Sequence, residues 1–222
     1  PDNETRQYAS VALKLNSMID GTHPICMENN LDFIQRLIII EQLPLLNKLL
    51  IQACVMSEKY DAVITNPPYM GSSNMDAKLS KFVKKNFPDS KSDSFAIFIE
   101  KCGQMIKFCG YQAMITQHAW MFLSSYEKLR KKLIYKDIIN MVHLGSKAFE
   151  EIGGEVVQTT AFVMQNSNVL NYKISFVRLV DFNSQQAKEE AFLSGDDRYI
   201  AQKENFKKIP GMPVAYWVGE NI

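Results

Sequence analysis

The sequence predicts an α/β fold: a mainly parallel, helix-covered sheet with an antiparallel end. Three observations predict it. Short, nearly continuous apolar runs, YDAVIT at 60–65, YQAMIT at 111–116 and DIINMVHL at 137–144, have the length and composition of buried strands. Between them lie stretches with apolar residues at helical spacing, the alternation expected of crossover connections in a parallel sheet. Two further strand-like runs, VVQTTAFVM at 156–164 and YKISFVRLV at 172–180, are separated only by the polar QNSNVLN. That spacing predicts an antiparallel pair at a sheet edge.

Taken in order, VALKLNSMI at 11–19 suits either a strand or a short helix, and GTHP at 21–24 is a turn. Residues 31–43 and 45–57 read as helix, with Pro44 at a start or a break. After the first strand, residues 71–92 are polar and carry Lys78, Lys81, Lys84, Lys85 and Lys91, which predicts a long loop with one or two helical turns. From Ser94 to Cys109, the residues Phe95, Phe98, Ile99, Cys102, Met105, Ile106 and Cys109 follow helical spacing, with Asp93 as a cap and Gly110 as the closing residue. Ser124 and Glu127 form a capping-box pattern for a helix through roughly Tyr135. A short helix at about 184–193 ends at Gly195, and IPGMP at 209–213 is turn-rich enough to mark a boundary towards a following domain.

Composition narrows the classes. Apolar residues make up 46% of the 222 residues and charged residues 22%, which excludes a disordered chain. The 25 basic and 24 acidic residues leave a net charge of +1, so a nucleic-acid partner requires positive charge concentrated locally. Cys26, Cys54, Cys102 and Cys109 form no C-x-x-C pair, which argues against a zinc ribbon or a thioredoxin-like motif. Reduced, mostly buried thiols in a cytoplasmic protein are expected instead. Apolar runs such as LIII at 37–40 are too short to span a bilayer, and the polar start has no signal-peptide core. The chain opens at Pro1 rather than Met, as expected of a piece of a longer protein.

The chemistry concentrates at Asn66-Pro67-Pro68-Tyr69, directly after a strand. In open α/β sheets, ligands bind beyond the carboxyl ends of strands. The two prolines lack N–H groups and cannot extend a ladder, so they make a stiff turn with carbonyls to offer, notably that of Pro67. Asn66 adds a side-chain acceptor. Together these can accept both hydrogens of one exocyclic amino group. Such an amine has its lone pair delocalised into the ring, and two acceptors favour a more tetrahedral nitrogen with the lone pair aimed at a methyl donor. Tyr69 offers an aromatic face for a base. The plain alternative is a strand-ending turn.

YDAVITNPPYMGSSNM, then KSDSFAIFIEK, AMITQHAWMFLSSYEKLRKKL and HLGSKAFEEIGGEVVQTTAFV, resemble in order the motifs of N6-adenine DNA methyltransferases, in particular the PglX-type enzymes of BREX phage-defence systems. The resemblance covers most of residues 40–180. It implies a Rossmann-like fold and transfer of methyl from S-adenosylmethionine (SAM) to adenine N6 in DNA, in restriction-modification or phage defence. By the same resemblance Asn66, Pro67, Pro68 and Tyr69 hold the amino group and stack the base. Phe149 is the second aromatic against a flipped base, and Phe98 packs on the cofactor's adenine. Asp93 belongs to the same cofactor-side motif, although the residue itself suits a helix cap. Phe98 also suits plain core packing. The implied partners are DNA and other subunits of the defence system, with no membrane.

One departure stands out. The family's glycine-containing SAM loop should precede Asn66, yet Gly21 stands alone, no G-x-G occurs, and no strand delivers Glu28 or Asp32. The loop is expected upstream, so this chain alone should bind SAM weakly or not at all and be inactive. The expected organisation is an N-terminal, partly helical part (1–59), a catalytic core (60–182), and a helix and tail (183–222) leading to a target-recognition domain. The lysines of 78–91 suit either DNA phosphates or a solvated surface offset by Asp76, Asp89 and Asp93. Arg130, Lys131, Lys132 and Lys136 suit an exposed helix face and end. His23, His118 and His143 have no metal-ligand spacing and suit structural roles. Two other functions share the turn: methylation of a glutamine side-chain amide in protein, and a methyltransferase fold that binds DNA or a partner without turnover.

Overall fold

The computed structural model describes residues 3–19, 41–149 and 157–218. The chain divides into two compact units, residues 1–59 and 60–222. In the first, helices α1 (Asn3–Ile19) and α2 (Leu43–Ser57) pack together, and Asn47 Nδ2 donates to Asn16 Oδ1 at 2.6 Å. The 11–19 run is therefore helical, and Pro44 sits in the first turn of α2, where its missing N–H costs nothing. The turn expected at 21–24 and residues 31–40 of the helix expected over 31–43 lie outside the described residues, as do His23, Cys26, Glu28 and Asp32.

The second unit is a six-stranded sheet with the order β1-β2-β4-β3-β5-β6. Its strands are β1 (Tyr60–Thr65), β2 (Ile106–Gln117), β3 (Asp137–Gly145), β4 (Thr159–Gln165), β5 (Lys173–Arg178) and β6 (Arg198–Gln202). β1 runs parallel to β2, and β3 parallel to β5, whereas β4 is antiparallel to both β2 and β3. Four strands thus point one way, and β4 and β6 oppose them.

Several sequence expectations need correction. The runs at 156–164 and 172–180 do not pair with each other: β4 inserts between β2 and β3, and β5 lies beyond β3. A seven-residue connection is longer than a tight hairpin needs and can cross the intervening strand. β1 is an edge strand rather than a buried one. Its apolar run is real, but one neighbour covers only part of it, and Ile64 is 78% exposed. Residues 71–92 contain a ten-residue helix, α3 (Ala77–Asn86), capped by Asp76, whose side chain accepts from Leu79 N. Leu79, Phe82 and Val83 give α3 its apolar stripe, which four lysines mask.

Helix α4 (Ser94–Met105) stops four residues short of Cys109, and the chain turns straight into β2. The helical spacing beyond Met105 is coincidental, since a strand also accepts Ile106. Gly110 does not close a helix. A Cβ there would lie 3.0–3.1 Å from the carbonyl oxygens of Tyr60, Asp61 and Lys107, so glycine permits the close approach of β1 and β2. Helix α5 (Glu127–Leu133) opens after a 3-10 turn at Ser124–Tyr126, so the Ser124–Glu127 capping box does not form. The chain closes with α6 (Gln185–Ser194) and α7 (Lys203–Lys207).

The core gathers Phe95 and Ile99 of α4, Leu129 of α5, and Met114, Met141, Phe162 and Phe176 of the sheet. Tyr216 joins it from the tail, stacked on Phe176 at 4.5 Å between ring centroids. Among the described cysteines, Cys102 is buried, Cys54 half-buried and Cys109 exposed, so the expectation of mostly buried thiols fails. Among the described residues, no helix is long and apolar enough to cross a membrane.

Two buried cations tie the later chain to this core. Arg130, expected on an exposed helix face, is 3% exposed and donates to the carbonyls of Trp120, Leu123 and Gly211. Lys203 donates to Asp137 Oδ1 at 2.6 Å and to Asn168 Oδ1, and Asp137 also accepts from Ser167 Oγ and Val169 N. Burial alone would raise the Asp137 pKa, but these donors together hold it below its ordinary value. A depressed carboxylate pKa stabilises the fold above the unfolded-state value, and that stability is lost as pH falls through the folded-state value. Asp137→Asn, which leaves Lys203 buried without its counter-charge, is expected to cost about 3–5 kcal/mol at neutral pH. It should also flatten the acid limb of stability, measured by denaturant unfolding from pH 7 down to pH 3.

Candidate active site

The parallel strands bring the Asn66–Tyr69 turn and Phe149 to one edge of the sheet. Thr65, Met114, Phe162, Met141 and Phe176 share a level across five strands. Just beyond that level, and on the same carboxyl edge, lie Asn66–Tyr69 after β1, His118 after β2 and residues 146–149 after β3. β1 and β3 are three strand spacings apart, roughly 14 Å.

The turn after β1 is fixed from outside itself. Asp93 caps α4, its Oδ1 accepting from Phe95 N at 3.3 Å, and the same oxygen accepts from Met70 N at 3.0 Å. Ser94 Oγ donates to Pro68 O and accepts from Met70 N at 2.9 Å. Ser94 N donates to Met70 O, and Ser72 N to Ser92 O. Residues 68–72 are therefore bolted to the first turn of α4 from both sides of the backbone. Asp93 is 8% exposed, so the cap is a buried one.

What this leaves open is specific. Asn66 is exposed, and among the described residues no hydrogen bond engages its side chain or the Pro67 carbonyl, whereas Pro68 O is taken by Ser94. Tyr69 is half-buried, its ring edge-on to Phe95 at 6.1 Å and its hydroxyl 3.5 Å from Ile115 O. Burial raises its pKa to about 12, so the phenol stays neutral. Asn66 borders a cavity of about 400 Å³ lined also by Ile64, Ile115, Val142 and Ala161. A second cavity, of about 330 Å³, shares Val142 and Ala161 and reaches Ala148, beside the half-buried Phe149. Phe98 turns away from the buried stripe of α4: it is 39% exposed, while Phe95 and Ile99 are fully buried.

Known proteins resemble this chain in sequence and in fold. Residues 10–149 match the family described as Eco57I restriction-modification methylase. The chain belongs to this family. It is 51% identical over 171 residues to the adenine-specific methyltransferase PglX of Lacticaseibacillus casei (strain Zhang), covering 74% of this chain. It is 47% identical over 167 residues to the adenine-specific methyltransferase BrxX of Escherichia coli O9:H4 (strain HS), covering 75%. The chain spans 14% of the length of each of these relatives. Among solved structures, the Type ISP restriction-modification enzyme LlaGI, in complex with a DNA substrate mimic, shares the fold with a TM-score of 0.54 at 14% identity, over 76% of this chain and 19% of that one. A type I restriction-modification chain does so with a TM-score of 0.54 at 13% identity, over 98% and 59%.

Other features of this carboxyl edge are not legible in the sequence. His118 and His143 are not isolated: His118 Nδ1 lies 2.7 Å from His143 Nε2, and His143 Nδ1 lies 3.0 Å from the Tyr216 hydroxyl, Oη. Burial, with His118, Arg178 and Lys188 nearby, pushes the His143 pKa down to about 3, and burial lowers that of His118. Both are neutral, which suits the structural role expected of them. Among the described residues, no group of His, Cys, Asp or Glu could hold a metal. The only sequence signal for the Ser94 tie is the D-S pair opening a helix, and nothing in the sequence names Met70 as its partner.

Ser94→Ala keeps the Asp93 cap but removes the bonds to Pro68 O and Met70 N. It is expected to cost about 1–3 kcal/mol. Amide exchange at Met70 should quicken at least about tenfold, read by hydrogen exchange. Unchanged protection at Met70 would show that the Asp93 carboxylate holds its amide without Ser94.

Proposed function

We propose that this chain is the catalytic part of an enzyme that transfers the methyl group of SAM to adenine N6 in DNA, in restriction-modification or phage defence. The observation that carries this reading is the division of labour within one turn. Pro68 and Met70 are consumed in holding the segment, while the Asn66 side chain and the Pro67 carbonyl, with no protein partner among the described residues, remain to accept an amino group's two hydrogens. The family match and the adenine-specific names of the two relatives support the same reading.

In this proposal the acceptors are preorganised dipoles rather than bases. They draw on the N6 hydrogens, pull the lone pair out of conjugation and aim it, with no reorganisation at the moment of reaction. Tyr69, kept neutral, gives the base one face, and Phe149 meets it from the β3 side. Taking a base out of the duplex exposes it to both rings. Asp93 acts through the turn, since the oxygen that caps α4 also holds Met70 N. The exposed Phe98 ring is a fitting surface for the adenine of SAM, which when bound supplies the electrophilic methyl group.

The lysines of α3 fit DNA phosphates. The acids that could offset them are engaged elsewhere: Asp76 caps α3, Asp89 pairs with Lys132 at 2.7 Å, and Asp93 is buried. Lys81, Lys84 and Lys85 line one groove and form no ion pair among the described residues. Replacing all three by Ala should weaken DNA binding and reduce the slope of log affinity against log salt by about 3. An unchanged slope would return them to a solvated surface.

The test of the function itself is transfer of labelled methyl from SAM to unmethylated DNA by the intact protein. Asn66→Ala is expected to lose about 10²–10³-fold in kcat with DNA binding retained. Undiminished transfer by this variant would remove Asn66 from the chemistry. No transfer by either protein, with DNA still bound, would favour a fold that binds without turnover.

A further inference from the structure

Helix α6 lies outside the turn that holds the amino-group acceptors, yet its polar side chains reach the end of β3. Lys188 is 4% exposed, and its ammonium donates to Leu144 O at 2.7 Å and Leu179 O at 2.6 Å. Leu144 is the penultimate residue of β3, and Leu179 follows the last residue of β5. Lys188 therefore bridges the carboxyl ends of two parallel strands where their ladder stops. One turn earlier in α6, Gln185 Nε2 donates to Ala148 O at 3.1 Å, one residue before Phe149. Between these ties sits Gly145 at φ +69, where a Cβ would fall 2.8 Å from Val180 Cα. The chain is pressed against residue 180 before it turns towards Phe149, and only glycine allows that turn at that closeness.

Stability alone does not call for a lysine at 188. Among the described residues it has no carboxylate within ion-pair distance, and a buried cation held only by carbonyls is costly beside a packed apolar side chain. What a leucine could not do is hold two carbonyls at fixed separation. We propose that α6 is the positioning element of the Phe149 loop, with Lys188 and Gln185 setting where Phe149 stands relative to the Asn66 turn. This rests on the reading of Phe149 as the aromatic that meets the extruded adenine. Ala148, Gln185 and Lys188 line the same 330 Å³ cavity, so a shift of α6 is passed directly to the residue before Phe149.

The experiment uses the intact protein with two duplexes, an unmodified one for steady-state kinetics and one carrying 2-aminopurine at the adenine it methylates, located by mapping methylated DNA. The fluorescence reports the extruded base, and steady-state kinetics separate kcat from KM. Gln185→Glu is nearly isosteric at an exposed position and replaces the donor facing Ala148 O with an acceptor. It should lower kcat about tenfold and reduce the fluorescence, with KM for DNA within about twofold and the melting temperature unchanged. Lys188→Met should do the same more strongly, together with some loss of stability, so Gln185→Glu is the deciding variant. If Gln185→Glu keeps wild-type fluorescence and kcat while Phe149→Ala loses both, α6 does not position the loop and the reading of Phe149 survives. If Phe149→Ala changes neither, that reading fails and the proposal falls with it.

Discussion

The candidate site depends on three hydrogen bonds that Asp93 and Ser94 make to Pro68 and Met70. A strand that ends in two prolines has no ladder to hold the next residues, because neither proline has an N–H to donate. Left alone, the turn would sample several conformations, and acceptors that move contribute little to aligning a lone pair. The first turn of a helix is well suited to hold it. Its amide groups already need a capping acceptor, and one capping carboxylate can serve a second amide without leaving its place. The hydroxyl of Ser94 completes the tie by donating to one backbone group and accepting from another. The geometry of Asn66 and Pro67 is thus inherited from α4, which is itself anchored by fully buried Phe95 and Ile99.

A second constraint comes from three buried cations, each of which fastens later chain to the core. Arg130 gathers carbonyls from the segment after β2 and from Gly211, Lys203 meets the carboxylate at the start of β3, and Lys188 joins the ends of β3 and β5. Long side chains with several donors suit this work, because irregular segments crowd unpaired carbonyls that an apolar core cannot satisfy. The consequence is that residues after β5 are not an appendage to the edge that carries the candidate site. They set the ends of the strands on which the candidate substrate residues stand.

Much of this is legible in the sequence. The apolar runs locate five of the six strands, and the Asn-Pro-Pro-Tyr turn locates the candidate site, because each depends on residues close together in the chain. Features that depend on partners distant in sequence are not legible. The pairing order at β4 and β5 differs from expectation, since a period-2 pattern fixes a strand's faces but not its neighbours. The boundary at Met105 is hidden because apolar residues at 106 and 109 continue a helical spacing by accident. Lysines hide α3, and a run of basic residues disguises Arg130 as a surface residue. β6 gives little signal because RYIAQ is short and lies after a turn. Phe98 shows the reverse: its spacing suggests the core, yet its ring is turned outward.

The most direct measurement is the structure of the intact protein bound to duplex DNA containing its target adenine and a SAM analogue that cannot transfer methyl. The expected result is an extruded adenine whose N6 lies within hydrogen-bond distance of both Asn66 Oδ1 and Pro67 O, with Met70 N still bound to Asp93 and Ser94. An adenine held by its amino group elsewhere, with Asn66 facing solvent, would contradict it.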